Sequence, residues 1–257
     1  MRNLKVALVQ ANQIWEDKGK NLAHFEDLLS SIEAVDLILL PEMFQTGFSM
    51  NVEALAESEN DSASLNWLKL ISLKKSAAIY TSMIMEENGS FYNRGVFVKP
   101  TGEVTMYNKR KLFGLAGEDN FFTPGDKEVI VDFEGWKFNL QICYDLRFPE
   151  MARNRIAPNG IPTYDVLLYV ANWPEKRSAH WKALLTARAI ENQCYTIGLN
   201  RVGQDGKGLI YSGDSMLVDA LGEKKECNSS KEEVLMVELN QHKLSEVRQL
   251  LPFLKDL

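Results

Sequence analysis

FNLQICYDLRFPE, residues 138–150, begins as a buried strand and is expected to end as a helix. Phe138, Leu140 and Ile142 alternate with Asn139 and Gln141, the period-2 pattern of a strand. Cys143 falls where that strand should stop. Pro149 and Glu150 read as the first turn of a helix, where a proline loses no hydrogen bond, and residues 151–156 as its continuation. A cysteine at such a junction lies near unpaired backbone N–H groups, which can lower a thiol pKa and hold an oxyanion. A lone cysteine in apolar surroundings is more often plain core, so the rest of the chain has to decide its role.

The 257 residues are 45% hydrophobic and 25% charged, an ordinary globular composition with length enough for a large core. No repeat, low-complexity run or linker interrupts them, and residues 1–257 are expected to form one domain. A net charge of −6 and a pI near 5.3 leave no basic patch for nucleic acid. No apolar run reaches the roughly 20 residues that cross a bilayer. Cys143, Cys194 and Cys227 are odd in number and widely spaced, so neither a disulfide framework nor a metal site is expected, and a reducing cytoplasm fits them. Cys194 reads as a strand residue and Cys227 as a surface-loop residue.

Upstream, residues 4–10 (LKVALVQ), 17–34 and 36–40 (DLILL) read as strand, helix and strand, a βαβ unit. Leu22, Phe25, Leu28, Leu29 and Ile32 share one helix face. The second strand is a short apolar run after Asp36, as in a strand covered on both faces, and Pro41-Glu42 follows it directly. A side chain placed there projects into the usual ligand crevice of an α/β fold. Residues 43–50 form an apolar, glycine-hinged loop that can wall a pocket, and 51–60 read as acidic surface. A helix over 62–76 turns Leu65, Leu68, Ile71 and Leu73 inward. Strands follow at 77–85, 91–99 and 103–107, then the basic run Lys109, Arg110 and Lys111. Residues 114–124 form a long irregular loop carrying Glu118. Strands at 128–133 and 136–142 pair around Glu134-Gly135. Beyond Cys143, further strands are expected at 165–170, 194–200, 211–219 and 234–239, with helices at 178–192 and 240–250. The whole predicts an α/β fold, two mixed sheets packed face to face with helices outside.

Hydrolysis of an amide by a thiol needs a nucleophile, a base and an oxyanion stabiliser. Cys143, Glu42 and Lys109 each sit at or near a strand end, and no nucleotide-binding or metalloprotease motif competes. The segments LLPEMFQTGF (39–48), YNKRKLF (107–113) with GED (117–119), and QICYDLRFPE (141–150) resemble the nitrilase superfamily of C–N hydrolases. The likeness runs from about residue 4 into the 230s, with the motifs in the family's order. With VANWPEKRSAHW (170–181), TARAIENQCY (186–195) and SGDSML (212–217), the chain is most similar to the omega-amidase branch, including its bacterial members. The resemblance implies a four-layer αββα sandwich that usually dimerises and uses no cofactor. It implies Glu42 as general base, Lys109 as oxyanion stabiliser, Cys143 as nucleophile and Glu118 as a second glutamate. Many members carry histidine where this chain has Lys111.

On these roles Cys143 attacks the amide carbonyl as Glu42 takes its proton, and the oxyanion meets Lys109 and the Tyr144 backbone N–H. The implied substrates are dicarboxylic acid monoamides such as 2-oxoglutaramate or 2-oxosuccinamate. A pocket for these needs a cation for the far carboxylate, ideally an arginine. Arg147 and Arg177 are candidates for it by position, though the plainer reading of Arg147 is a pairing with Glu150 or Asp145. Phe44, Trp173, Tyr144 and His180 are candidate pocket walls. Competing readings are a nitrilase, an N-carbamoyl amidohydrolase, an aliphatic amidase, or a silent scaffold on the same fold.

Overall fold

Alternate residues of the first strand face opposite layers, and that alternation organises the molecule. In the computed structural model, which describes residues 2–256, β1 is Leu4–Gln10. Leu4, Val6 and Leu8 point into a core shared by two sheets, whereas Ala7 and Val9 point into a second core beneath helices. β2 (Leu37–Leu39) repeats the pattern, with Leu37 and Leu39 inward and Ile38 outward. A strand covered on both faces has to be apolar throughout, and residues 37–40 are.

The other elements follow in chain order. α1 (Lys18–Ser30) lies between β1 and β2, and α2 (Val52–Leu55), β3 (Glu57–Ser58) and α3 (Ala63–Lys75) lead to β4 (Ala78–Glu87). β5 (Ser90–Val98) and β6 (Val104–Asn108) complete the first half. The second half begins with β7 (Ile130–Phe133), β8 (Trp136–Ile142), β9 (Val166–Ala171) and α4 (Ser178–Glu191). β10 (Tyr195–Asn200), β11 (Val202–Gln204), β12 (Ile210–Ser212), β13 (Met216–Val218), β14 (Lys224–Glu226), β15 (Glu233–Leu239) and α5 (Gln241–Leu250) close the chain.

One sheet runs in the order β15-β1-β2-β4-β5-β6, with β3 beside β4, and the other runs β14-β13-β10-β9-β8-β7. Each has parallel strands at its centre, β1-β2-β4 and β10-β9-β8, and antiparallel strands outside them. Phe25 and Leu29 of α1 and Leu65, Leu68 and Ile71 of α3 cover one outer face, and Trp181, Leu185 and Ala189 of α4 join the core on the other side. The result is the αββα sandwich. β11 and β12 pair as a separate hairpin.

Local chemistry sets the element ends. Asp17, Ser62 and Asn240 accept the N–H groups of Lys20, Leu65 and Lys243 as N-caps. Five expectations fail, one of them the strand over 211–219, which is broken between Ser212 and Met216 into β12 and β13 of different sheets. No helix follows Cys143: two short 3-10 turns, Cys143–Arg147 and Pro149–Ala152, flank an extended Phe148. A residue before proline is pushed out of the helical region. Beyond them Asn154 pins the backbone by donating to Tyr164 O and Asn192 O. Residues 51–60 are not simple surface, because Glu57 is buried and accepts from Lys18, Ser62 and Ser64. Leu73 faces solvent, being two positions, about 200° of helix, past the inward Ile71. Cys227 is buried, its N–H donating to Ser215 O.

α4 sits directly on β10 at Gly198, where a Cβ would lie 2.3 Å from Leu185 Cδ1 and 2.7 Å from Trp181 Cζ2. Gly198→Ala should therefore destabilise the protein by about 1–3 kcal/mol through overpacking. Urea unfolding should show a lower midpoint with an unchanged slope.

Candidate active site

β2, β6, β8 and β9 end at the same edge of the sandwich, and the residue or loop after each supplies the site. Glu42 follows β2, Lys109 follows β6, Cys143 follows β8 and Asn172 follows β9. Lys109 and Glu42 have no exposed side-chain surface, nor does Glu118 from the loop beyond Lys109. The Lys109 Nζ lies 3.0 Å from Glu42 Oε1, and 3.0 and 2.9 Å from Glu118 Oε1 and Oε2. Asn93 on β5 donates to Glu42 Oε1 at 2.7 Å and to Glu118 Oε1 at 3.0 Å. The remaining oxygens take backbone donors, Asn172 N–H to Glu42 Oε2 at 2.8 Å and Phe113 N–H to Glu118 Oε2 at 2.6 Å.

Burial works against the Lys109 charge, but Glu118 and Glu42 more than offset it, and the ammonium titrates above its ordinary range. Burial raises the Glu118 carboxyl; Lys109 opposes that and the Glu42 charge adds to it. Cys143 has φ +44°, a strained conformation for a residue with a side chain. Burial pushes its thiol well above the ordinary value, Glu42 pushes it further, and Lys109 only partly offsets them. The expected lowering by a following helix is therefore corrected: the turn after Cys143 is a short 3-10 turn, and desolvation beside two carboxylates dominates. Tyr144 lies in the first turn, where backbone N–H groups have no intrahelical acceptor.

Above Cys143 lies a cavity of about 70 Å3 lined by Phe48, Phe113, Tyr144, Arg147, Trp173 and Arg177, among others. The Arg147 guanidinium stacks 4.7 Å from the Trp173 ring and Arg177 stacks 5.2 Å from the Phe113 ring. Among the described residues neither has an acidic partner within 4.0 Å. The alternative pairing of Arg147 with Asp145 or Glu150 is not found; its Nη2 lies 3.2 Å from His180 Nδ1 instead. His180 is exposed on α4 and reaches the cavity only through that arginine. Phe44 is not a wall, a second correction. It is fully buried between Phe25 and Trp67 in the core beneath the helices, and Phe48, four residues on, faces the cavity. Lys111 holds its ammonium 4.7 Å from the Phe148 ring.

Several groups at the site were not singled out from the sequence. Asn93 carried little signal: it stands beside Arg94 in a strand of mixed polarity, and its partners Glu42 and Glu118 are remote in sequence. Asn172 holds Glu42 twice, its Nδ2 donating to Glu42 O at 2.6 Å, while Gln13 donates to the same carbonyl at 2.9 Å. Asp205, Lys207, Leu209 and Tyr211 of the β11–β12 hairpin complete the wall. Chemically, the arrangement offers a thiol beside a carboxylate that can take its proton, and a fixed cation beside both.

Residues 5–249 match the carbon-nitrogen hydrolase family model. The chain belongs to the carbon-nitrogen hydrolase family. It is similar to omega-amidase YafV of Yersinia enterocolitica, 45% identical over 87% of this chain and 84% of that protein. It also resembles the 2-oxoglutaramate amidase of Bacillus subtilis, 32% identical over 86% of this chain and 85% of that one. XC1258 of Xanthomonas campestris, a CN-hydrolase superfamily protein crystallised with an arsenic adduct in its active site, superposes with a TM-score of 0.96. It is 37% identical, and the match covers 100% of this chain and 97% of that one.

With its thiol above the ordinary pKa of 9.0, Cys143 of this hydrolase should be alkylated by iodoacetamide at a rate that climbs with pH. The climb should continue from about pH 6 to about pH 9 without a plateau, because the thiolate is the reactive form. Peptide mapping should find Cys194, fully buried with its pKa pushed up to about 12, unmodified in the folded enzyme. A plateau near neutrality would mean a preformed thiolate.

Proposed function

We propose that this carbon-nitrogen hydrolase is an omega-amidase. It cleaves the terminal amide of a dicarboxylic acid monoamide, such as 2-oxoglutaramate or 2-oxosuccinamate, to the dicarboxylate and ammonia. The reading is carried by one juxtaposition: a thiol, a carboxylate and an ammonium lie at the floor of a small cavity walled by two arginines without acidic partners. The kinship to the omega-amidase of Yersinia enterocolitica supports it.

Cys143 Sγ attacks the amide carbon while its proton passes to Glu42. The Lys109 ammonium and the Tyr144 N–H hold the tetrahedral oxyanion; one such donor is worth about 2.7–4 kcal/mol. Glu42 returns the proton to the departing nitrogen, ammonia leaves and a thioester remains. Glu42 then takes a proton from water as its oxygen attacks the thioester. Collapse of the second tetrahedral state expels the thiolate, and Glu42 protonates it. Glu118 keeps Lys109 charged and fixed. Arg147 and Arg177 receive the far carboxylate, with Trp173 and Phe113 as the platforms on which they stack. The reading extends to a cytoplasmic protein, for which the absence of a disulfide among the described residues is support, and to a homodimer. Leu250 and Phe253, 80% and 60% exposed near the C-terminus, favour a covered face there.

Ammonia release from succinamate or 2-oxoglutaramate, butyramide and a matched nitrile tests the proposal. A charge-assisted contact to the far carboxylate contributes roughly 1.5–3 kcal/mol, about 10- to 100-fold in kcat/KM over butyramide. Arg177→Ala should erase most of that preference and leave butyramide turnover nearly unchanged. Cys143→Ala should be folded and inactive on every substrate. A better rate on butyramide or on the nitrile would overturn the omega-amidase reading; activity in Cys143→Ala would overturn the nucleophile.

A further inference from the structure

We infer that Asp145 is the positioning residue that sets the nucleophile against the oxyanion-holding ammonium; this rests on the roles proposed above for Cys143 and Lys109. Asp145 is fully buried and touches neither group directly. Its Oδ2 accepts the Ile142 N–H at 3.0 Å and the Tyr107 O–H at 2.7 Å, and its Oδ1 accepts the Lys111 N–H at 2.9 Å. Ile142 is the last residue of β8 and immediately precedes Cys143. Tyr107 and Lys111 stand two positions before and two after Lys109. One carboxylate therefore clamps the backbone in front of the nucleophile to both flanks of the lysine, across two segments that belong to different sheets.

The clamp answers a specific structural need. Cys143 sits at φ +44° without glycine's freedom, and the Asp145–Ile142 hydrogen bond closes the turn around it. The Lys109 N–H is already bonded to Asn93 O at 3.0 Å, so the lysine's backbone is fixed from β5 on one side and from Asp145 on the other. All three groups facing Asp145 are donors, and an ionised carboxylate is an acceptor only. An asparagine that keeps its oxygen toward Ile142 and Tyr107 turns its NH2 toward the Lys111 N–H, donor against donor, and releases the segment carrying Lys109. Phenylalanine in place of Tyr107 removes one of the three donors and keeps the ring.

The test compares Asp145→Asn, Tyr107→Phe and Cys143→Ala for kcat and KM on the preferred monoamide, with iodoacetamide mapping of Cys143 and Cys194. Displacing the reacting groups by about 1 Å costs roughly 100-fold, so Asp145→Asn should lower kcat by about that factor and leave KM nearly unchanged. Its Cys143 should remain alkylatable and its Cys194 protected. Tyr107→Phe should lose about tenfold in kcat, the effect of one hydrogen bond to a charged group. Wild-type kcat in a folded Asp145→Asn protein, or a loss confined to KM, overturns the inference. Alkylation of Cys194 in Asp145→Asn together with wild-type kcat in Tyr107→Phe overturns it too, by reducing Asp145 to a support of the fold. Turnover by Cys143→Ala would instead defeat the proposed nucleophile, an outcome distinct from an inactive Cys143→Ala beside an active Asp145→Asn.

Discussion

A lysine ammonium held out of water between two glutamates is the constraint on which the rest of this structure depends. Taking an ion into a protein interior costs several kcal/mol, which attraction returns only when geometry and hydrogen bonding are nearly complete. Lys109, Glu42 and Glu118 meet that condition because every carboxylate oxygen has a donor. Two negative charges face one positive charge, so the cluster is held together by neutral donors as well, the Asn93 amide and the N–H groups of Phe113 and Asn172. Those donors come from a strand of one sheet, a loop and a strand end of the other sheet. The ion cluster is satisfied only when the two sheets are packed.

That dependence explains the architecture around it. Parallel central strands bring the ends of β2, β8 and β9 to one edge, where loops can carry polar groups without breaking a sheet. β5 reverses the chain so that β6 can end at that same edge and deliver Lys109. The apolar strands behind the site form a core whose side chains face two layers, leaving little freedom for a shift in register. On the proposed function, this floor holds the reacting groups while the cavity wall, from Phe113 to the β11–β12 hairpin, selects the substrate.

Much of this was legible in the sequence because Glu42, Lys109 and Cys143, the groups proposed to react, lie inside short contiguous motifs. Glu42 follows an unmistakable buried strand, and Cys143 stands where another ends. The alternation of Phe138, Leu140 and Ile142 gave the strand before the thiol, and the run 36–40 gave the doubly covered one. The helix expected after Cys143 was read from Pro149, yet that same proline holds Phe148 extended, and the side-chain bonds of Asn154 then arrest the chain. Phe44 and Phe48 share a motif, and only the packing of Phe44 on Phe25 and Trp67 tells which of them faces the cavity. Asn93, Asn172 and Asp145 reach partners 25 to 130 residues away, Asp145 in addition to its neighbour Ile142, and local pattern carries no trace of such distances.

Burial of the Cys143 thiol has a consequence for durability. Peroxide attacks the thiolate to give a sulfenic acid, and further oxidation is irreversible. Desolvation and two nearby carboxylates push this thiol toward its neutral form, which is the form that an oxidant attacks least. On the mechanism proposed above, its nucleophilicity is released only as the proton moves to Glu42 during attack on a bound carbonyl. A thiol activated in this way should be oxidised more slowly by peroxide than one that stands as a thiolate.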